Sequence, residues 1–153
     1  MDPQIKLRRD VEEFGWHILN VFSTNEHPPL SYSVGLYRTF KHPEIVIVGL
    51  PGQTAQALIN GIGAEIKKGR RFPPGSRSSD FLNGYEATFV DVAEALYGDY
   101  FGQAIDYYGS RSFPVVQFVW PDRAHHFPWD DGFDSSLRAT QPILSTSPEQ
   151  SFN

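Results

Sequence analysis

The chain has 153 residues, one domain's worth, with 40% apolar and 14% aromatic residues, so a buried core is within reach and wholesale disorder is excluded. It contains no cysteine, which removes disulfides, thiolate nucleophiles and zinc–thiolate sites together and fits a reducing compartment. A net charge of −5 argues against a broad nucleic-acid surface. No stretch approaches the ~20 apolar residues of a membrane span, and the N-terminus lacks the apolar run of a signal peptide. The expected setting is therefore cytoplasmic, with neither nucleic acid nor membrane as partner.

In chain order, Asp2-Pro3 predicts a capped helix start, Leu7, Val11 and Phe14 form one stripe, and Gly15 ends the helix. A strand is expected at 16–22. A second, at 30–37, puts Leu30, Tyr32, Val34 and Leu36 on one face and Ser31, Ser33, Gly35 and Tyr37 on the other. The continuous apolar run 45–50 predicts a strand covered on both sides. A helix follows over 54–68, with Ala55, Leu58, Ile59, Ile62 and Ile66 inward. Its internal Gly61 and Gly63 each cost roughly 1 kcal/mol relative to Ala, and a close helix-on-sheet contact is the expected compensation.

Residues 69–84 read as a long loop and 85–92 as a strand. Asp91 with Glu94 resembles a capping box, and Asp99 is placed to cap a helix that Gly109 closes. The last strong strand spans 114–120. After Asp134 the chain is rich in Ser, Thr, Gln and Pro, with Pro142, Ile143 and Leu144 as docking candidates. The expectation is one globular domain over 1–144 with a flexible tail at 145–153. Its fold class is α+β: a mainly antiparallel five- to six-stranded sheet or small split barrel, with about three helices.

Several groups of side chains carry chemical potential. The stretch 115–133, "VVQFVWPDRAHHFPWDDGF", gathers Asp122, His125, His126, Asp130 and Asp131. Adjacent histidines in an extended segment point to opposite sides, and no second His-rich segment follows at ligand spacing, so no metal site is expected. Trp120-Pro121 and Pro128-Trp129 read instead as a rigid apolar wall. Gln117, on an apolar strand, needs partners if buried, either backbone groups or a ligand. Ser31, Ser33 and Gly35 leave room above the sheet, for a ligand or for another backbone. His42 and Glu44 read as an acid/base pair or as a hydrogen-bonded strand cap. Lys67, Lys68, Arg70, Arg71 and Arg77 place five of thirteen basic residues within eleven positions, as cations at a helix C-terminus or as an anion clamp. Nucleophile-elbow, P-loop and dinucleotide fingerprints are absent.

The ordered set "FGWHILNV", "YSVGL", "HPEIVIVGLP", "RFPPG", "NGYEATFVDV", "VVQFVWPD" and "FPWDDGF" resembles the bacterial domain of unknown function numbered 4262, over roughly residues 10 to 144. The motif positions carried over are Gly15, Trp16, Tyr32, Gly35, Leu36, His42, Pro43, Glu44, Gly49, Pro74, Gly75, Gln117, Trp120, Pro121, Asp122, Pro128 and Trp129. Ser33 stands where that family more often has threonine. The resemblance implies boundaries and a motif set, not a reaction. A second resemblance, to flavin-binding split barrels, lies in element order alone and implies FMN phosphate held by Ser31, Ser33, Arg70 and Arg71.

These readings converge on a small polar or anionic ligand between the 31–36 strand, the 42–44 segment and the 117–129 loop. Tyr32, Trp120 and Trp129 would form its walls, and Ser33 and Gln117 its polar contacts. His42, Glu44 and Asp122 would be the acid/base groups, Arg70 or Arg71 the anion contact, and 69–84 a lid. The flavin-dependent oxidoreductase is one alternative; a non-enzymatic interaction module, including a homodimer, is another.

Overall fold

A computed structural model of the chain describes residues 3–145. The expected Asp2 cap and the sequence beyond 145 lie outside the described residues.

Helix α1 (Pro3–Phe14) turns Leu7 and Val11, one turn apart, into the core. Gly15 stops it, with φ 102° and its N–H bonded to the Val11 carbonyl at 3.0 Å. Phe14 leaves the expected stripe and is 61% exposed. Strands β1 (His17–Val21), β2 (Leu30–Val34) and β3 (Glu44–Val48) follow, with the short helix α2 (Leu36–Phe40) between the last two. Helix α3 (Gly52–Lys67) leads to the hairpin β4 (Arg77–Leu82) and β5 (Tyr85–Asp91). A 3₁₀ turn, α4 (Tyr97–Tyr100) and α5 (Gly102–Tyr108) then precede β6 (Val115–Val119).

The strands form one six-stranded sheet in the order β1-β2-β3-β6-β5-β4. Every neighbouring pair is antiparallel except the central one, β3 with β6. Both central strands are buried along their whole length, as the continuous apolar run 45–50 predicts for β3. On one face Ile45, Ile47, Phe89 and Phe118 pack against Ile59, Ile62 and Ile66 of α3. On the other, Tyr32, Val46, Val48 and Val115 meet α1, α4, α5 and the C-terminal Leu144. Each such buried side chain contributes about 1.5–3 kcal/mol. The outer strands β1 and β4 do not pair with each other, so the sheet is open and the split-barrel alternative does not hold.

Other expectations change with tertiary context. The strand read through 30–37 breaks at Gly35, φ 117°, where an added Cβ would lie 2.8 Å from the Gly15 carbonyl oxygen. The supposed loop 69–84 contains β4, and its Phe72 is buried, so it is part of the body rather than a lid. Neither Asp91 nor Asp99 caps a helix: Asp91 ends β5, Asp99 lies within α4, and the following turn and helix have no side-chain cap. The compensation expected for helical glycine holds at Gly63, where a Cβ would meet the Trp16 ring at 2.6 Å, but Gly61 has only ordinary contact with Phe81.

Candidate functional site

Glu44 opens β3 and is 1% exposed. A carboxylate so placed needs a full set of donors. Its Oε1 accepts from Ser33 Oγ at 2.7 Å and from the Leu36 amide at 3.1 Å. Its Oε2 accepts from the amides of Gly35 at 2.8 Å and Tyr37 at 3.3 Å, and from the Tyr108 hydroxyl. These are the free N–H groups at the start of α2, so Glu44 caps from across the sheet a helix that has no local cap. Burial pushes the Glu44 carboxyl above the ordinary range, against the pull of Tyr108, Ser33 and the amides of Gly35 and Tyr37. Burial and the adjacent Glu44 charge likewise push the Tyr108 phenol up.

His42 is buried and both its ring nitrogens are engaged. Nδ1 donates to the Pro43 carbonyl at 2.9 Å, and Nε2 accepts the Phe72 amide at 2.9 Å. That pattern requires a neutral ring. Burial lowers its pKa, partly opposed by the Pro43 carbonyl and reinforced by the Arg71 charge. A histidine with a depressed folded pKa stabilises the fold fully above its unfolded pKa of about 6.5, and this is lost as the pH falls from there through the folded pKa. The melting temperature should therefore fall between roughly pH 7 and 5, and by less in His42→Gln; equal slopes in pH-resolved thermal melts would refute this.

Gln117 has the backbone partners that were one of its two expected fates. It donates to the Pro142 carbonyl at 3.0 Å and accepts from the Leu144 amide at 2.9 Å. Gln141 does the same to Trp120, accepting its amide at 3.0 Å and donating to its carbonyl at 2.8 Å. The two carboxamides stitch segment 141–144 to β6. Asp122 closes the bend after β6 through the amides of Ala124 at 3.0 Å, His126 at 2.8 Å and Asp134 at 2.9 Å. Burial raises its pKa, but those amides and the neighbouring His126 outweigh it and hold it below the usual value.

The remaining expected site residues disperse. Tyr32 packs edge-on to Phe101 at 5.0 Å within the core, where burial raises its phenol to about 12. Trp129 stacks on Phe127 at 5.4 Å and faces a separate hollow with Pro74, Gly75 and Ile143. Arg70 pairs with Glu65 at 3.0 Å and Asp80 at 2.9 Å, and Arg71 donates to the Phe40 carbonyl at 2.8 Å. Ser31 donates to Asn20 at 2.6 Å. The hydroxyls and cations of the flavin-phosphate reading are thus committed to internal contacts and do not fit FMN. His125 stacks on Tyr85 at 4.6 Å, and among the described residues no group of three or more potential ligands could hold a metal.

The single site expected from sequence thus separates into two regions. In the parallel pair Glu44 lies beside Val115, whereas Trp120 follows the far end of β6 and its indole donates to the Val48 carbonyl at 2.9 Å. Four residue steps of β3, roughly 13 Å, lie between them. The His42–Glu44 end is closed by its own hydrogen bonds. The Trp120 end stays open, as a pocket of about 410 Å³ lined by Leu50, Leu82, Tyr85, Trp120, Pro121 and Arg123, with Thr54, Asn83 and Asp122. Arg123, one of its lining residues, is exposed and has no carboxylate partner among the described residues.

A further cleft, of about 660 Å³, was not read from the sequence. Along it His17 Nδ1 lies 2.6 Å from Asp10 Oδ2, a pair formed across the turn from α1 into β1. Burial raises the Asp10 pKa, but the hydrogen bonds from His17 and Lys6 prevail and lower it overall. The seven-residue separation of Asp10 and His17 has no periodicity that marks it in advance.

These features define a small α+β domain on an open mixed sheet, with its buried carboxylate, imidazole and carboxamide hydrogen-bonded within the protein. The family described as Domain of unknown function (DUF4262) matches residues 10–134, most of the chain, and the protein belongs to that family. No curated protein and no solved structure matches the chain. No helix among the described residues is long and apolar enough to cross a membrane.

Proposed function

We propose that this protein binds a small molecule with a flat apolar body and an anionic group in the pocket beside Trp120. The observation that carries this reading is Arg123, without a carboxylate partner among the described residues, at a concave site whose apolar walls include Leu50, Leu82, Trp120 and Pro121. The pocket lies beyond the C-terminal ends of the parallel strands β3 and β6, where open sheets commonly take ligands. Its volume falls within the usual range for small-molecule sites. The reading is one of binding, because His42, Glu44 and Asp122 are tied up in structural hydrogen bonds.

Ligand-observed NMR with a panel of aromatic carboxylates tests it. Arg123→Ala should weaken the binders about tenfold, as expected for one lost charge-assisted contact, while the melting temperature stays put. Binding that ignores this substitution, or a panel without binders, would remove the proposal.

A further inference from the structure

The two edges of the sheet are built differently. Edge strand β4 carries Arg77 and Asp80, both in ion pairs, and its register with β5 shifts between Ser78 and Leu82. Charges and irregularities of this kind blunt an edge against further pairing. Edge strand β1, "HILNV", has no lysine, proline or bulge, and its register with β2 runs unbroken from His17↔Val34 to Val21↔Leu30. Its outer side has no strand partner among the described residues.

That unguarded edge lies in a walled groove. One wall is α1, through Lys6, Asp10 and Glu13; the other is α3, through Gln56, Asn60 and Lys67; Trp16, His17 and Ile18 lie between them. A second hollow of about 530 Å³ shares Gln56 and Asn60 and adds Asn20 and Gln53, which extends the groove along β1.

Gln53, Gln56 and Asn60 recur at three- and four-residue spacing, one face of α3. Gln56 accepts from Asn20 at 3.1 Å and Asn60 from Trp16 Nε1 at 3.0 Å, which holds both carboxamides in place and leaves their amino groups as donors. On the floor, Asp10 occupies His17 Nδ1 and leaves Nε2 for the groove. Phe14 at one end of β1 and Phe22 at the other are 61% and 84% exposed.

We propose that this groove takes an extended polypeptide segment, which adds to β1 as a seventh strand. Main-chain N–H and C=O groups of the incoming segment pair with the free edge, and the carboxamide amino groups of α3 meet its carbonyls. The segment is polar in the middle, to match the groove, and apolar where it reaches Phe22. A second copy of this chain fits worse, because its own β1 is flanked by α1 and α3, which would collide with the same walls here.

Selection of a phage-displayed random dodecapeptide library on the full chain tests this, followed by titration of the synthesised winners. Enriched peptides should protect the β1 amides from hydrogen exchange. Gln56→Ala and Phe22→Ser, both surface changes, should each weaken them about tenfold without moving the melting temperature, and Arg123→Ala should leave them unaffected. No enrichment, enriched peptides that leave β1 unprotected, or sedimentation as a dimer with β1 already protected in the free chain would each overturn the proposal.

Discussion

Glu44→Ala is expected to cost about 3–5 kcal/mol, the range for removing one partner of a buried charged network. The reason lies in what stays behind. The hydroxyls of Ser33 and Tyr108 and the amides of Gly35, Leu36 and Tyr37 all point at the vacated volume, and of these Ser33, Gly35 and Leu36 belong to buried residues. Each unsatisfied buried donor costs about 1–3 kcal/mol, and α2 loses the carboxylate that caps its N-terminus at the same time. A loss of that size removes a large part of the roughly 5–15 kcal/mol that a domain commands.

Glu44→Gln keeps the shape but turns an amino group toward some of those donors, so a smaller loss, about 2 kcal/mol, is expected. Tyr108→Phe, which removes one donor and leaves the carboxylate otherwise bonded, should cost about 1–2 kcal/mol. Urea denaturation of the three variants gives the ranking. An alanine variant within about 1 kcal/mol of the parent would mean that Glu44 does not hold this end of the sheet together.

Gln117→Leu should cost about 2–4 kcal/mol, since it leaves the Pro142 carbonyl and the Leu144 amide without partners at a buried site. The side chain is close in volume, so packing alone predicts little. The loss should be local in character as well. Segment 141–144 is also held by Gln141 on Trp120 and by the Ala93 amide on the Leu144 carbonyl at 2.7 Å, so hydrogen exchange should rise first there and at β6. A Gln117→Leu protein with unchanged stability and unchanged exchange would show that the docked segment does not depend on this carboxamide.

The parts of the fold legible in the sequence are those whose signal is local. The apolar run "IVIVGL" announced a strand covered on both faces and "VVQFV" a strong strand, and both are central in the sheet. Gly15 and Gly109 marked helix ends, and each has a positive φ there. The helix at α2 escaped notice because its capping group, Glu44, comes eight residues after its first residue, on another strand. Strand β4 escaped because "RSSDFL" is polar and largely exposed, as an edge strand can be, and only pairing with β5 makes it a strand.

Of the candidate site, residue types were legible but convergence was not. Ser33 and Glu44 do bond to each other, whereas His42, two residues before Glu44, turns to Phe72 instead, and Trp120 and Asp122 do sit at one bend. Whether the two clusters meet depends on β3 and β6 running parallel, a long-range choice that places their starts together and their ends together. The Asp10–His17 pair depends in the same way on the angle at which α1 hands the chain to β1.

By itself, then, the sequence determined the domain class, the central strands and the family, because apolar periodicity and glycine placement act over a few residues. The tertiary structure decided which polar groups are closed and which are open. Glu44, His42 and Gln117 look chemically active as letters, yet burial obliges each to satisfy its hydrogen bonds within the protein. Arg123 and the β1 edge look unremarked as letters, yet no carboxylate pairs with the one and no strand with the other among the described residues.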